Sequence, residues 1–230
     1  MSVHENHRQR VKSRYETYGI DVFDEHQALE LLLFYCVPRR DTNVIAHNLI
    51  NRFGAFGKVL DAPIKELEKV DGVGHNVALF LKMLKDAYRY YRIHSNDDDV
   101  FLHDINACGG YLVNYFIGLD VEAVFMLGLD AKRKVLCCKE VGRGNVNSTA
   151  VSIRKIVEIA LAENVTSVIL AHNHPSGLAV PSEEDIRTTY KIERALKAVD
   201  VVLADHIVVC ESDFVSMAQS NQLLSGPDYS

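Results

Sequence analysis

A polar, acidic stretch at residues 93–99 divides the chain into two parts with different apolar patterns. The part before it places apolar residues at helical spacing, whereas the part after it alternates helical stretches with short apolar runs. Short apolar runs between helices are typical of the buried strands of layered α/β domains. We therefore predict a small all-α domain at residues 1–92, a linker at 93–100 and an α/β domain at 101–230.

Cap residues and apolar spacing predict the elements within each part. In the first part, helices are predicted to begin at Asp21 or Asp24, at Asp41 or Thr42, at Pro63 and at His75. In the second part, the predicted helices cover 104–115, 152–163 and about 183–199. The predicted strands cover 123–127, 134–138 and 167–171, and one further strand runs through 201–203 and 207–209.

The formal net charge of −6 is unevenly distributed between the two parts. Residues 1–92 carry 14 Lys or Arg and 12 Asp or Glu, a net charge of +2, which leaves −8 on the rest of the chain. A phosphate backbone repels an acidic surface. Any contact with nucleic acid is therefore predicted to belong to the first part.

The sequence also predicts where the protein works. No apolar run approaches the roughly 20 residues of a membrane span, and Met1–Arg14 lacks the apolar core of a secretory signal. The cysteines are odd in number and form no CxxC pair, which suits a reducing compartment. We predict a cytoplasmic protein that does not associate with membranes.

Two histidines follow the predicted buried strand at 167–171. His172 and His174 are two residues apart, so on an extended chain their imidazoles project the same way. Asp185 lies in the first turn of the next predicted helix. Two imidazoles and one carboxylate leave a fourth position for water, which is typical of a catalytic zinc site. Zinc lowers the pKa of that water to about 7, and a separate carboxylate must then accept its proton.

Simpler interpretations exist for each half of this pattern. His-x-His is common, and Ser182-x-x-Asp185 is by itself the pattern of a helix N-cap. The combination favours a metal, because a core strand that ends in two histidines and a proline serves no packing purpose. A non-haem iron centre uses the same ligand types, although zinc is preferred here. The zinc deaminases need His-x-Glu and Pro-Cys-x-x-Cys, which the sequence lacks.

The segment His172-x-His174-Pro175 followed by Ser182-x-x-Asp185 resembles the JAMM motif of the JAB/MPN metallopeptidases. The sequence around this motif, together with residues 204–208, resembles the RadC family. The resemblance covers essentially the whole chain. Similar segments in the first part are Glu30-Leu31-Leu32-Leu33, Arg39-Arg40-Asp41-Thr42, Arg52-Phe53-Gly54 and Asp71-Gly72-Val73-Gly74.

The resemblance implies an α-β-α layered domain with a mixed sheet, similar to the cytidine-deaminase-like fold. It also implies one Zn²⁺ per chain, held by His172, His174 and Asp185. Glu140 matches the glutamate that activates the zinc-bound water, and Ser182 matches the serine that steadies the oxyanion. The implied substrate is a peptide or isopeptide.

The sequence alone leaves several residues near this site with more than one interpretation. Without the resemblance, Glu140 is equally well explained as an exposed glutamate at a strand end. Three other glutamates rank level with it: Glu158, Glu163 and Glu183. Where many relatives read Pro-Arg-Glu, this chain has Ile153-Arg154-Lys155. The pair Asp205-His206 is interpreted either as structural or as a support of the metal ligands.

The turn Asp71-Gly72-Val73-Gly74 resembles the hairpin of a helix-hairpin-helix module. Gly72 and Gly74 would let backbone N–H groups approach a phosphate, beside the N-terminus of the following helix. Lys82 and Lys85 on that helix would add phosphate contacts. The alternative is a turn that only connects packed helices. We predict at most weak, sequence-independent DNA binding by residues 1–92.

The favoured hypothesis is a JAMM-type zinc metallopeptidase joined to a helical DNA- or partner-binding module. Proteins of the RadC family are usually labelled DNA repair proteins. The competing hypothesis is a non-enzymatic DNA- or protein-binding module with a structural zinc domain. Glu140 favours the enzyme, because a purely structural site has no use for an additional base.

Overall fold

The computed structural model describes residues 3–38, 40–95, 99–144, 151–175, 177–211 and 213–220. The chain divides into two compact units, Met1–Tyr88 and Arg89–Ser230. Helix α6 continues to His94, so the linker predicted at 93–100 begins with helical residues. The predicted domain boundaries stay a prediction.

Helices joined by turns make up the described part of the first unit. Asp41 begins α3 by accepting a hydrogen bond from the backbone N–H of Asn43, and Gly54 ends it with φ of +93°. Asp24 is the N-cap of α2. The helices are α1 (Val3–Tyr18), α2 (Glu25–Leu33), α3 (Thr42–Phe53), α4 (Phe56–Asp61), α5 (Ile64–Leu67) and α6 (His75–His94). Neither α1 nor α4 was predicted from the sequence.

Helix α1 is held to the rest of its unit by polar contacts. The carboxylate of Glu30, on α2, is buried and contacts His7 Nε2 at 3.0 Å. The same carboxylate accepts a hydrogen bond from Asn43 Nδ2 at 3.1 Å. The guanidinium of Arg8 donates to the carbonyl of Val37 at 2.6 Å. These contacts explain why apolar periodicity did not reveal α1.

The second unit contains a five-stranded sheet in the order β2-β1-β3-β4-β5. Strand β1 is antiparallel to β2 and β3, β3 is parallel to β4, and β4 is antiparallel to β5. The sheet is therefore mixed, as predicted. The strands are β1 (Glu122–Leu129), β2 (Val135–Gly144), β3 (Ser167–Asn173), β4 (Val202–Cys210) and β5 (Asp213–Ser216).

Helices cover both faces of this sheet. Alternate residues of a strand point to opposite faces. Phe125 packs in a core with α7 (Ile105–Phe116), while its neighbour Met126 packs in a second core with α8 (Ile153–Ala162) and α9 (Glu183–Lys197). The unit thus has a helix–sheet–helix arrangement. Within the described ranges, no helix combines the length and the apolar character that a membrane span requires.

The strand predicted to run through 201–203 and 207–209 is β4, which begins at Val202. The polar pair between the two runs also stays extended and buried. Strand β2 reaches Gly144, beyond the predicted end at residue 138.

Candidate metal centre

The crossover from β3 through α9 to β4 brings the three predicted ligands together. His172 lies near the carboxyl end of β3, and His174 follows the strand directly. Asp185 is the third residue of α9, so it lies in the first turn. Because β3 and β4 are parallel, the chain must run back along the sheet between them, and α9 makes this connection. The carboxyl ends of parallel strands are where α/β proteins place their binding and catalytic sites.

The ligand atoms lie at distances that suit a metal ion. His172 Nε2 is 3.0 Å from His174 Nε2 and 3.5 Å from Asp185 Oδ1, and His174 Nε2 is 3.8 Å from Asp185 Oδ2. Two atoms held by zinc at about 2.0–2.1 Å with tetrahedral angles lie roughly 3.3 Å apart. These three residues are a group of potential ligands whose atoms all lie within 4.8 Å of one another.

Hydrogen bonds at the outer ring nitrogens orient both imidazoles. His174 Nδ1 lies 3.0 Å from the carbonyl oxygen of Leu178, which can only accept, so this nitrogen carries the proton. His172 Nδ1 lies 2.8 Å from His206 Nε2. When both Nδ1 atoms donate, two Nε2 lone pairs face each other at 3.0 Å beside a carboxylate. Facing lone pairs repel each other unless a cation or a proton lies between them, so the residues fit a metal ion.

His206 and Thr189 are buried behind His172. His206 Nδ1 lies 2.5 Å from Thr189 Oγ1, and the Thr189 hydroxyl donates to the backbone carbonyl of Asp185 at 2.6 Å. Burial, followed by the adjacent His172 ring, lowers the pKa of His206 to about 3, so the His206 ring is neutral. Sequence reasoning missed Thr189. Its position four residues after Asp185, on the same helical face, was the available signal.

Asp205 has a different role from its neighbour His206. Its carboxylate accepts hydrogen bonds from the backbone N–H groups of His206, at 2.7 Å, and Ala218, at 3.0 Å. The hydroxyl of Ser216, in β5, donates to it at 2.6 Å. Burial raises the pKa of Asp205 despite these donors. Asp205 is therefore structural, whereas His206 contacts a predicted ligand.

Ser182 is the N-cap of α9 and fixes the carboxylate of Asp185. Its hydroxyl and its backbone N–H both donate to Asp185 Oδ2, at 2.6 and 2.8 Å. Burial acts to raise the pKa of Asp185, but the adjacent His172 ring, followed by the hydrogen bonds from Ser182, outweighs it and holds that pKa well below its usual range. The carboxylate is therefore ionised and its Oδ1 faces His172. The predicted oxyanion role of Ser182 stays a prediction.

Glu140 lies inside β2, opposite Phe125 of β1. Arg143 holds its carboxylate with two hydrogen bonds of 2.9 and 2.6 Å and keeps its pKa below the usual range. No contact found among the described residues joins this carboxylate to the three predicted ligands. Lys155, from the triplet that departs from many relatives, donates to the backbone carbonyl of Glu140 at 2.9 Å. Residues 145–150 lie outside the described residues.

Comparison with known proteins identifies the family. A family model for the RadC-like JAB domain matches residues 102–223. The chain belongs to the RadC family. The UPF0758 protein FN0909 of Fusobacterium nucleatum subsp. nucleatum is 31% identical over 223 residues, which are 94% of this chain and 96% of that protein. The UPF0758 protein SPO0054 of Ruegeria pomeroyi is 34% identical over 208 residues, which are 90% and 92% of the two chains.

The family assignment confirms the resemblance predicted from the sequence. A JAB domain suggests metal-dependent hydrolysis, and the His-His-Asp group supplies residues for it. The names of the two relatives state no activity. Membership in the RadC family therefore suggests metal-dependent hydrolysis as the class of chemistry.

The predicted hairpin turn at residues 71–74 lies in the first unit, and its two glycines differ in the space around them. Gly72 has φ of +86°, and a Cβ there would lie 2.7 Å from Ile45 Cγ1, so packing explains it. A Cβ on Gly74 would have no neighbour within 4 Å. Residues 68–74 and Arg40 line a cavity of about 470 Å³ at this turn.

The predicted DNA-contacting lysines have partners within the same unit. Lys82 Nζ donates to the backbone carbonyls of Leu60, at 3.4 Å, and Asp61, at 3.3 Å. Lys85 forms an ion pair with the carboxylate of Asp61. Both lysines therefore stabilise the C-terminal end of α4. Their phosphate contacts stay a prediction.

Proposed function

We propose that this RadC-family protein is a JAMM-type zinc-dependent hydrolase that cleaves a peptide or isopeptide bond. The observation that carries the proposal is the pair of Nε2 atoms 3.0 Å apart, with Asp185 beside them and a hydrogen-bond partner on each Nδ1. Three protein ligands leave one coordination position for water or substrate. The helix–sheet–helix arrangement further supports a cytidine-deaminase-like fold. The unpaired cysteines suit a cytoplasmic location.

We assign the residues of the proposed site the following roles. His172, His174 and Asp185 would hold the ion, which when bound supplies Lewis acidity and an acidified water. Glu140 would accept the proton of the attacking water, since Arg143 keeps its carboxylate ionised. The backbone N–H of Ser182 would keep Asp185 Oδ2 in place, and its exposed hydroxyl would turn from Asp185 to donate its one proton to the oxyanion of the substrate.

Elemental analysis tests the site. We expect about one zinc per wild-type chain, and we expect the metal to be lost in His174→Ala and Asp185→Ala because each variant leaves only two ligands. Full occupancy in either variant would mean that other residues bind the metal. Iron in place of zinc would support the alternative non-haem iron centre.

Hydrolysis tests the enzyme against the competing proposal, a DNA- or protein-binding module with a structural zinc domain. The wild-type chain, with and without a chelator, is incubated with peptide, isopeptide and nucleic-acid substrates. Glu140→Gln should keep its zinc and lower kcat by about 10²- to 10⁴-fold, because glutamine cannot accept a proton. The control is Glu163→Gln, whose parent carboxylate pairs with Lys139.

Three outcomes separate the alternatives. Loss of zinc from Glu140→Gln would make Glu140 a ligand, and full activity would place the base elsewhere. A zinc-loaded wild-type chain that cleaves nothing on the panel would favour the structural domain.

We also propose that the first unit binds duplex DNA weakly and without sequence preference, in keeping with a DNA repair role. The observation that favours this is the open space in front of Gly74, at the N-terminus of α6. Backbone N–H groups at a helix N-terminus attract phosphate. Because Lys82 and Lys85 already have carboxylate or carbonyl partners, few charges remain for DNA.

A further inference from the structure

A continuous line of hydrogen bonds runs from the predicted metal ligand His172 back to helix α9. His172 Nδ1 is 2.8 Å from His206 Nε2, His206 Nδ1 is 2.5 Å from Thr189 Oγ1, and Thr189 Oγ1 is 2.6 Å from the backbone oxygen of Asp185. The side chains of His172, His206 and Thr189 are 7% exposed or less. Water therefore cannot replace a missing partner along this line.

The direction of each bond follows from its final acceptor. The Asp185 backbone carbonyl can only accept, so Thr189 donates to it and has only lone pairs left for His206. His206 must then carry its proton on Nδ1, which makes its Nε2 an acceptor. This acceptor faces His172 Nδ1, so the proton of His172 lies on Nδ1 and its lone pair lies on Nε2.

We propose that His206 and Thr189 are positioning residues that select the metal-binding tautomer of His172. This inference rests on the proposed metal site. A histidine whose proton lies on Nε2 cannot bind an ion through that atom, so the line of hydrogen bonds prepares the ligand before the ion arrives. His174 reaches the same tautomer through a backbone carbonyl, that of Leu178.

Helix α9 contributes to the centre at two levels. Asp185, in its first turn, would bind the ion directly, and Thr189, one turn later, ends the line of hydrogen bonds that orients His172. The hydroxyl of Thr189, rather than the shape of its side chain, determines the tautomer. Without this acceptor, the buried Nδ1–H of His206 would be unpaired and His206 would favour its other tautomer. His206 would then donate to His172 Nδ1, and the proton of His172 would lie on Nε2.

Two substitutions of Thr189 separate the effect of its hydroxyl from the effect of its side-chain volume. The affinity of the full chain for zinc is measured by competition with a chromophoric chelator, for wild type, Thr189→Val and Thr189→Ser. Thr189→Val, which is nearly isosteric, should bind zinc about 10- to 100-fold more weakly, as for other groups that support a metal ligand. Thr189→Ser keeps the hydroxyl and should stay near wild type.

Controls distinguish positioning from general destabilisation. Thr166→Val removes a hydroxyl that donates to the carbonyl of Leu129 in the same unit, and its zinc affinity should equal that of wild type. Melting of the metal-free chains shows whether each variant is folded. If Thr189→Val does not fold, His206→Gln replaces it: the amide oxygen can accept from His172, so this variant should bind zinc more tightly than His206→Leu.

The outcomes are unambiguous. A folded Thr189→Val chain that binds zinc as tightly as wild type overturns the positioning role, and so does equal weakening in the Ser and Val variants. A wild-type chain that binds no zinc overturns the proposed metal site, and with it the role proposed for Thr189.

Discussion

Asp205 lies inside β4 and hydrogen-bonds to Ser216 of β5 and to Ala218 just after β5. Its carboxylate accepts three hydrogen bonds but remains buried, and burial raises its pKa above the ordinary value of 3.8. A carboxyl group whose pKa is higher in the folded state stabilises that state only while it is protonated. As pH rises from below 3.8 through the raised pKa, the unfolded chain releases its proton first, and the folded protein loses this stabilisation.

The variant Asp205→Asn isolates this effect. Asparagine cannot ionise, so the free energy of unfolding of the variant minus that of wild type should increase as pH rises through the same window. Urea denaturation of the metal-free chain at several pH values measures the difference. Asp213→Asn, at an exposed position, is the control and should show a smaller change. A difference that is flat or decreases with pH would contradict the assignment.

Residues of the candidate site differ in how far the sequence could predict them. His172, His174, Asp185 and Ser182 fall within one short motif, so their spacing alone indicates that they converge. Thr189 was not predicted, because its spacing from Asp185 places it on the same helical face but does not reveal its contact with His206, which depends on the packing of α9 on β4. The pairing of Arg143 with Glu140 was missed for the related reason that β2 extends further than its apolar run.

At the scale of elements, helix α7 contains two adjacent glycines with opposite surroundings. A Cβ on Gly109 would overlap the ring of Phe214 in β5, whereas a Cβ on Gly110 would have no neighbour within 4 Å. Gly109 is therefore required by close packing of α7 on β5. Gly110 serves no such purpose and only lowers the helix propensity.

Alanine substitutions should therefore change stability in opposite directions. Gly109→Ala should lower the free energy of unfolding by about 1–3 kcal/mol, because the added methyl group displaces Phe214. Gly110→Ala should raise it by about 0.5–1 kcal/mol through helix propensity alone. Urea denaturation of both variants and of wild type measures the two changes in the free energy of unfolding. Equal effects would show that Phe214 can move aside without cost.

Elements were predictable where they carry their own caps. Asp41, Asp104, Ser152 and Ser182 each accept a hydrogen bond from the first turn of the helix that follows, and each lies at or beside a predicted start. Strand β5 has four residues and was not predicted, since its place depends on pairing with β4.

At the scale of the whole molecule, charge sets the expected behaviour towards DNA. Residues 1–92 carry a net charge of +2 and the rest of the chain −8. Each phosphate that a protein neutralises contributes about −0.9 to the slope of log K against log salt concentration. Few available cations therefore predict weak binding with a shallow slope.

The full chain, titrated with duplex DNA of mixed sequence at several salt concentrations, measures both quantities by fluorescence anisotropy. Gly74→Asp places a carboxylate where the backbone should meet phosphate and should abolish binding. Gly57→Asp adds the same charge to the same unit at another open position, and should weaken binding only slightly. Equal affinity of Gly74→Asp and wild type would show that the turn only connects helices.

The change of apolar pattern at 93–99 is the basis of the predicted domains, and these domains stay a prediction. The two compact units divide between Tyr88 and Arg89, inside α6, which continues as far as His94. Helices tolerate exposed polar residues well, so polarity alone does not locate a helix end.

The connection between His174 and Ser182 also has a consequence for insertions and deletions. Its ends are fixed by β3 and α9, and the thiol of Cys210 donates to the carbonyl of Gly177 within it. Doubling the length of a flexible loop costs only about 0.6 kcal/mol. Extra residues after Leu178, whose carbonyl orients His174, are therefore inexpensive. One residue inserted or deleted between Asp185 and Thr189 would instead rotate these side chains away from each other. The chain can vary in length before α9 but not within its first two turns.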